Sequence, residues 1–132
     1  MLTYTMEDYV ETIYRLQTRR GYACVTDIAG CLGVKPPSVS RMLGKLARKN
    51  LVVYEKYRGV VLTDEGLLVG RFLLERHLLL TRLLEVIGLQ DASEKMVEGI
   101  EHFINAENLR RVKYFLEMAE QYPGVFAGSR AE

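Results

Sequence analysis

The punctuation of residues 25–62 limits the fold more than any other feature of the chain. Val25-Thr26-Asp27-Ile28-Ala29-Gly30-Cys31-Leu32 has a helical apolar spacing, Gly33 follows it, and Pro36-Pro37 comes soon after. Gly33 suits a tight turn because glycine takes a left-handed backbone without a Cβ clash. The two prolines cannot sit inside a helix, but they can begin one, where their missing amide hydrogens leave no bond unmade. The spacing therefore predicts a short helix opened by a Thr26 cap, a glycine turn, and a second helix from Pro36 to about Lys49. That is the helix-turn-helix arrangement. On the second helix Val39, Met42, Leu43 and Leu46 fall on the inner stripe, which leaves Ser38, Ser40, Arg41, Lys45, Arg48 and Lys49 outward. Hydroxyl and basic side chains are the groups that meet phosphates and base edges.

After Asn50 the period changes. Leu51-Val52-Val53-Tyr54 and Val60-Val61-Leu62 are β-branched and aromatic, with Glu55-Lys56-Tyr57-Arg58-Gly59 turning between them, which predicts a two-stranded hairpin. A basic hairpin directly after a helix-turn-helix reads as a wing whose tip, Lys56, Tyr57 and Arg58, meets the DNA backbone or minor groove. The alternative is an ordinary surface hairpin with a charged tip. Charge favours the wing: from Lys35 to Arg58 seven Lys or Arg stand against Glu55 alone, so a chain of net charge +1 carries +6 there and −5 elsewhere. A basic block in a nearly neutral chain implies a polyanionic partner, and the acidic remainder can hold cations.

Helical spacing also covers the flanks. Thr5 to about Arg20 forms a first helix capped by Thr5 and ended by Gly21, with Asp8 and Glu11 side by side just off its apolar stripe. Taken alone, that pair is ordinary favourable charge near a helix start, about 0.3–1 kcal/mol. A long helix from Thr63 to about Ile87 is apolar nearly all round, so other helices or a second subunit must cover it. His77 lies inside it, where a packing histidine is the commoner use. A further helix from about Ala92 to Ile104, capped by Ser93, carries Glu98, Glu101 and His102, whose spacing puts two carboxylates and an imidazole on one face. A solvated acidic face is the plainer account of the same triplet. The last helix, Ala106 to about Gln121, bears a stripe of Leu109, Val112, Phe115, Leu116 and Ala119 suited to a subunit interface, and a frayed tail follows Pro123.

With 48% hydrophobic residues over 132 positions the chain can bury a real core. Its most apolar stretch, Leu67 to Ile87, is interrupted by Arg71, Glu75, Arg76, Arg82 and Glu85, which excludes a membrane span. Cys24 and Cys31 have no metal or redox spacing and follow no signal peptide; they read as small buried hydrophobes in a reducing cytoplasm.

Asp8, Glu11, His77, Glu98, Glu101 and His102, in this order, resemble the manganese-responsive branch of the diphtheria toxin repressor family. The likeness runs through Met6-Glu7-Asp8-Tyr9-Val10-Glu11, Tyr54-Glu55-Lys56-Tyr57-Arg58-Gly59, Arg76-His77 and Val97-Glu98-Gly99-Ile100-Glu101-His102. It implies a cytoplasmic, homodimeric, manganese-responsive repressor of metal-uptake genes that binds a double-stranded DNA operator, with no organic substrate, no membrane and no enzymatic activity. It further implies two Mn(II) per subunit: one held by Asp8, Glu11 and His77 with Glu98 and Glu101, the second by Glu98, Glu101 and His102, the two glutamates bridging. Ligand chemistry agrees, since four carboxylates and two imidazoles without a thiolate suit manganese or ferrous iron. Iron-responsive members carry sulfur at the position of Glu101, and an oxygen there favours manganese. DNA contact falls to Pro37, Ser38, Ser40, Arg41 and Lys45 with Lys56, Tyr57 and Arg58 of the wing.

The expected fold is mainly α. Residues 1–63 form a winged helix-turn-helix with a small β-hairpin, residues 64–88 a connecting helix, and residues 89–132 an all-helical dimerisation and metal-binding domain, without the SH3-like third domain of the longer iron-responsive members. Gly30 and Gly44 depart from good helix formers and cost up to about 1 kcal/mol each. The competing readings are a regulator responding mainly to iron or another divalent metal, a metal-independent winged-helix regulator, and a di-metal enzyme. The last lacks the paired Glu-x-x-His segments of di-iron bundles.

Overall fold

The computed structural model describes residues 2–55, 57–89 and 94–126. Its elements are α1 (Tyr4–Arg20), α2 (Val25–Leu32), α3 (Pro36–Arg48), β1 (Val52–Glu55), β2 (Gly59–Leu62), α4 (Asp64–Val86), α5 (Glu94–Glu101), α6 (Ala106–Gln121) and α7 (Pro123–Phe126). The fold is mainly helical with one two-stranded antiparallel sheet behind a helix-turn-helix, as expected. The chain divides into two compact units, Met1–Leu73 and Leu74–Glu132, and the division falls inside α4.

In the first unit Val10, Ile13, Ile28, Val39, Leu43, Leu46 and Val60 are wholly buried in one core. Helix α1 begins earlier than the sequence suggested. Thr3, in extended conformation, accepts from the Met6 amide at 3.1 Å, and Thr5 is already helical, so Thr3 and not Thr5 is the cap. Helix α2 likewise opens at Val25 behind Cys24 with no side-chain cap, which removes that role from Thr26. Gly21 and Gly33 end the two helices in the left-handed region, at φ 85° and 66°. Pro36 and Pro37 start α3, which buries Val39, Leu43 and Leu46. Cys24 is half-buried and Cys31 exposed, against the expectation that both would be core, because Cys31 falls on the outer side of a two-turn helix.

The hairpin runs one residue further on each side than its β-branched pattern. Glu55 pairs with Gly59 beyond Val52–Leu62, Val53–Val61 and Tyr54–Val60. It is pinned to the loop before α2, where Ala23 and Val60 exchange both backbone hydrogen bonds at 2.8 Å. The Gln17 Oε1 also accepts the Leu62 amide at 2.7 Å. These three long-range bonds fix the hairpin on the core, so it does not depend on its own marginal stability. Thr63 caps α4, its hydroxyl accepting from the Gly66 amide at 3.0 Å.

The second unit packs Leu80 and Leu84 of α4 on Val97 of α5, with Ile104 and Val112 against them. Asn105 caps α6 by accepting from the Asn108 amide at 2.8 Å, and Leu109 and Leu116 of the expected stripe are buried. Lys113 pairs with Glu75 at 3.3 Å, and Arg82 pairs with Glu120. Residues 123–126 form one helical turn where a frayed tail was expected. The expected Ser93 cap lies outside the described residues. No helix among the described residues is long and apolar enough to cross a membrane.

Candidate metal centre

In the second unit, His77 and Glu101 come together. The His77 Nδ1 and the Glu101 Oε2 are 3.0 Å apart, and both side chains are buried, Glu101 at 3% exposure and His77 at 9%. A carboxylate is expensive to remove from water unless a cation or hydrogen-bond donor compensates it. This one sits between α4 and α5, facing imidazole. On the other ring nitrogen, Nε2, the Glu94 carboxylate stands 3.9 Å away at the start of α5. His77 is thus flanked by carboxylate oxygen on both sides, and its own helix holds it rigidly.

The triplet of Glu98, Glu101 and His102 is arranged differently from a shared helix face. Helix α5 stops at Glu101, three residues before the expected Ile104, and His102 lies in the turn that follows. The turn is closed by the Phe103 amide on the Ile100 carbonyl at 3.1 Å and the Ile104 amide on the Glu101 carbonyl at 3.0 Å. Such i→i+3 bonds are the tightened last turn of a helix. Glu98 is exposed, Glu101 faces inward and His102 is half-buried. The early stop takes His102 off the helix but leaves one of its ring nitrogens within 4.8 Å of a Glu101 carboxylate oxygen, while Glu98 stays on the exposed side of α5.

In the first unit Asp8 and Glu11 are half-buried neighbours on α1, and Glu11 pairs with Arg15 at 3.3 Å. The i,i+3 spacing read from sequence is helical, as required for two oxygens to point the same way.

Sequence reasoning passed over two residues. Glu94 carried only a helix-start signal. Arg76 was read as an interruption of an apolar stretch, yet it is buried at 3% exposure, and its Nη1 donates to the Ile104 carbonyl at 3.2 Å. Its signal was available: an arginine on a helix apolar nearly all round, directly beside a candidate ligand, must be paired or satisfied.

The donor set fits a divalent first-row cation. It offers carboxylate oxygen and imidazole nitrogen and no sulfur, the ligand types of manganese and ferrous iron sites, and it includes a buried carboxylate–imidazole pair.

The outward face of α3 presents Pro37, Ser40, Arg41 and Lys45 to solvent with Ser38 half-buried, the Arg41 Nη2 donating to the Ser38 hydroxyl at 3.3 Å. At the wing tip Tyr57 is 95% exposed at φ 69°, and Arg58 pairs with Glu55 at 3.3 Å. Lys56 lies outside the described residues.

Comparison with known proteins agrees with this geometry. Residues 1–60 match the family described as iron dependent repressor, N-terminal DNA binding domain. Residues 63–125 match the iron dependent repressor, metal binding and dimerisation domain. The chain is 43% identical over 133 residues to the HTH-type transcriptional regulator MntR of Listeria welshimeri serovar 6b, covering 99% of this chain and 93% of that one. Among solved structures it is similar to the manganese-activated repressor ScaR in its apo form, with a TM-score of 0.66 at 30% identity over 83% of this chain. It is also similar to the manganese regulator SloR, with a TM-score of 0.65 at 28% identity over 85% of this chain. The chain spans about half the length of these two solved chains, 53% in each case. The chain therefore belongs to the iron-dependent, or diphtheria toxin, repressor family, whose members are DNA-binding transcriptional repressors and not enzymes.

Proposed function

We propose that this protein is a manganese-responsive repressor of metal-uptake genes, acting in the cytoplasm as a homodimer on a palindromic operator. The observation that carries the reading is the buried Glu101–His77 pair, an oxygen–nitrogen donor couple in the part of the chain that matches a metal-binding and dimerisation domain. Oxygen at position 101, in place of a soft sulfur, suits Mn(II).

The proposed ligands are Asp8, Glu11 and His77 with Glu98 and Glu101 for one Mn(II), and Glu98, Glu101 and His102 for a second. Bound manganese neutralises these carboxylates and acts as a cross-link between the elements that carry them. Asp8 and Glu11 belong to α1, in the unit that carries α3 and the wing; Glu98, Glu101 and His102 belong to α5 and its turn. Ligands drawn from both units couple metal occupancy to the DNA-reading half of the chain, so loading shifts the population toward arrangements that seat two recognition helices on one operator. Leu78, at 59% exposure, and Phe103, at 70%, are exposed apolar side chains on the second unit and suit a face covered by a second copy. On this reading residues 1–63 bind DNA, residues 64–88 connect, and residues 89–132 dimerise and hold metal. DNA contact is assigned to Pro37, Ser38, Ser40, Arg41 and Lys45 on α3 and to Lys56, Tyr57 and Arg58 on the wing.

The test is operator binding with Mn(II) and with chelator, for the natural protein and for Glu101→Ala. The expected result is tight binding only with manganese, with the metal response lost and Mn(II) affinity reduced by at least about 100-fold in the variant, more than outer residues usually cost. A metal response that survives Glu101→Ala overturns the reading, as does full DNA affinity of the natural protein in chelator.

A further inference from the structure

We propose that Arg76 is a positioning residue that holds the His102 turn in register for metal binding. This rests on the function proposed above and extends it to a residue outside the ligand set. Among the described residues of the second unit, Arg76 is a buried ionisable side chain, as are His77 and Glu101. Its guanidinium is always charged and presents several donors in a rigid planar fork, so burying it at 3% exposure is costly unless the fork meets acceptors. One acceptor is the Ile104 carbonyl, at 3.2 Å.

Ile104 is the far end of the short turn that carries His102. Its amide donates to the Glu101 carbonyl at 3.0 Å while its carbonyl accepts from Arg76. Its side chain packs on the core of Leu80, Leu84 and Val97. The turn is thus tied at Glu101, at Ile104 and to α4, and His102 is suspended between these ties. Arg76 also neighbours His77 in sequence on α4, so the same stretch of rigid helix that presents the His77 ring sets the position of the turn bearing His102. Without the guanidinium, residues 102–104 keep their two i→i+3 bonds and the apolar packing of Ile104 but lose the directional hydrogen bond that fixes the backbone of the turn on α4. The His102 imidazole then samples more orientations, and binding must restrict it. Residues that orient ligands in this way cost about 10–100-fold in metal affinity when removed.

The experiment titrates Mn(II) into the full chain for the natural protein, Arg76→Met, His102→Ala and the double variant, following stoichiometry by calorimetry and the two-metal signature by electron paramagnetic resonance. Circular dichroism and sedimentation check the fold. The expected result is that Arg76→Met weakens the lower-affinity manganese by roughly tenfold or more and dims the coupled two-metal signal. In the His102→Ala background the same substitution should add less than about a twofold change, because the two act through one ligand. Equal losses in both backgrounds, or none in either, overturn the proposal. If Arg76→Met does not fold, Arg76→Lys decides by the same comparison: the shorter, single-point donor should lose several-fold with His102 present and nothing without it. A natural protein that binds fewer than two Mn(II) per chain sinks the two-metal reading instead, and is distinguished from failure of the Arg76 role because it appears before any substitution is made.

Discussion

Glycines in this chain do opposite things at different positions, and only their surroundings tell them apart. Gly66 lies in the first turn of α4 with its backbone against the preceding chain, and a Cβ added there would stand 2.1 Å from the Leu51 carbonyl oxygen. That atom is backbone and cannot swing aside. Gly66→Ala is therefore expected to destabilise the protein by about 1–3 kcal/mol or more, as overpacking does. Gly30, inside α2, meets nothing within 4 Å and has an ordinary helical backbone. Gly30→Ala is expected to stabilise by about 0.5–1 kcal/mol, since alanine loses less conformational freedom on entering a helix. Urea unfolding of the two variants measures both, and a destabilised Gly30→Ala would contradict the open space described. Sequence reading noted the helix-propensity cost of Gly30 but had no means of seeing the Leu51 carbonyl beside Gly66, because that contact spans a hairpin. The same limit applied to Glu101 and His77: their types marked them as candidates, and only the packing of α5 on α4 shows one oxygen 3.0 Å from one nitrogen.

Among the elements, α3 and the hairpin were the most legible. Pro36-Pro37 announced the start of α3, and the β-branched runs announced the strands, because proline geometry and strand periodicity act within a few residues. Caps were less so. Thr3 and Thr5 are chemically equivalent candidates for the cap of α1, and the choice between them depends on where the apolar face must begin to pack. The early stop of α5 was also hidden, since Phe103 and Ile104 continue a helical apolar spacing while the chain turns to place Ile104 in the core and Asn105 at the cap of α6. The face of α3 carries its own prediction. Arg41 and Lys45 are exposed, so Arg41→Ala and Lys45→Ala should leave the fold and melting temperature nearly unchanged. Each should lower the slope of log affinity against log salt for operator DNA by about 1, the mark of one lost phosphate contact. An unchanged slope in both would remove these residues from the DNA face.

For the whole molecule, metal binding and folding should be linked. A ligand that binds only the native state at 100 times its dissociation constant stabilises it by about 2.7 kcal/mol, which for a chain of this size raises the melting temperature by on the order of 10 °C. Manganese is expected to do this and chelator to reverse it, measured by calorimetry, with Glu101→Ala showing little response. A natural protein whose melting temperature ignores manganese would argue against a site built from native geometry.

What the sequence alone determined was the class of fold, the sign and place of the basic block, and the donor types available to a metal. Each depends on residue identity and short-range period: proline at a helix start, alternating β-branched residues, a +6 block, carboxylates and imidazoles without thiolate. Tertiary structure alone decided which of those donors are buried together, that His102 leaves the helix, that the hairpin is tied to Ala23 and Gln17, and that Arg76 is buried against the Ile104 carbonyl. These depend on contacts between residues tens of positions apart. Their partners are chosen by how the apolar faces pack, and the order of letters along the chain does not display that choice.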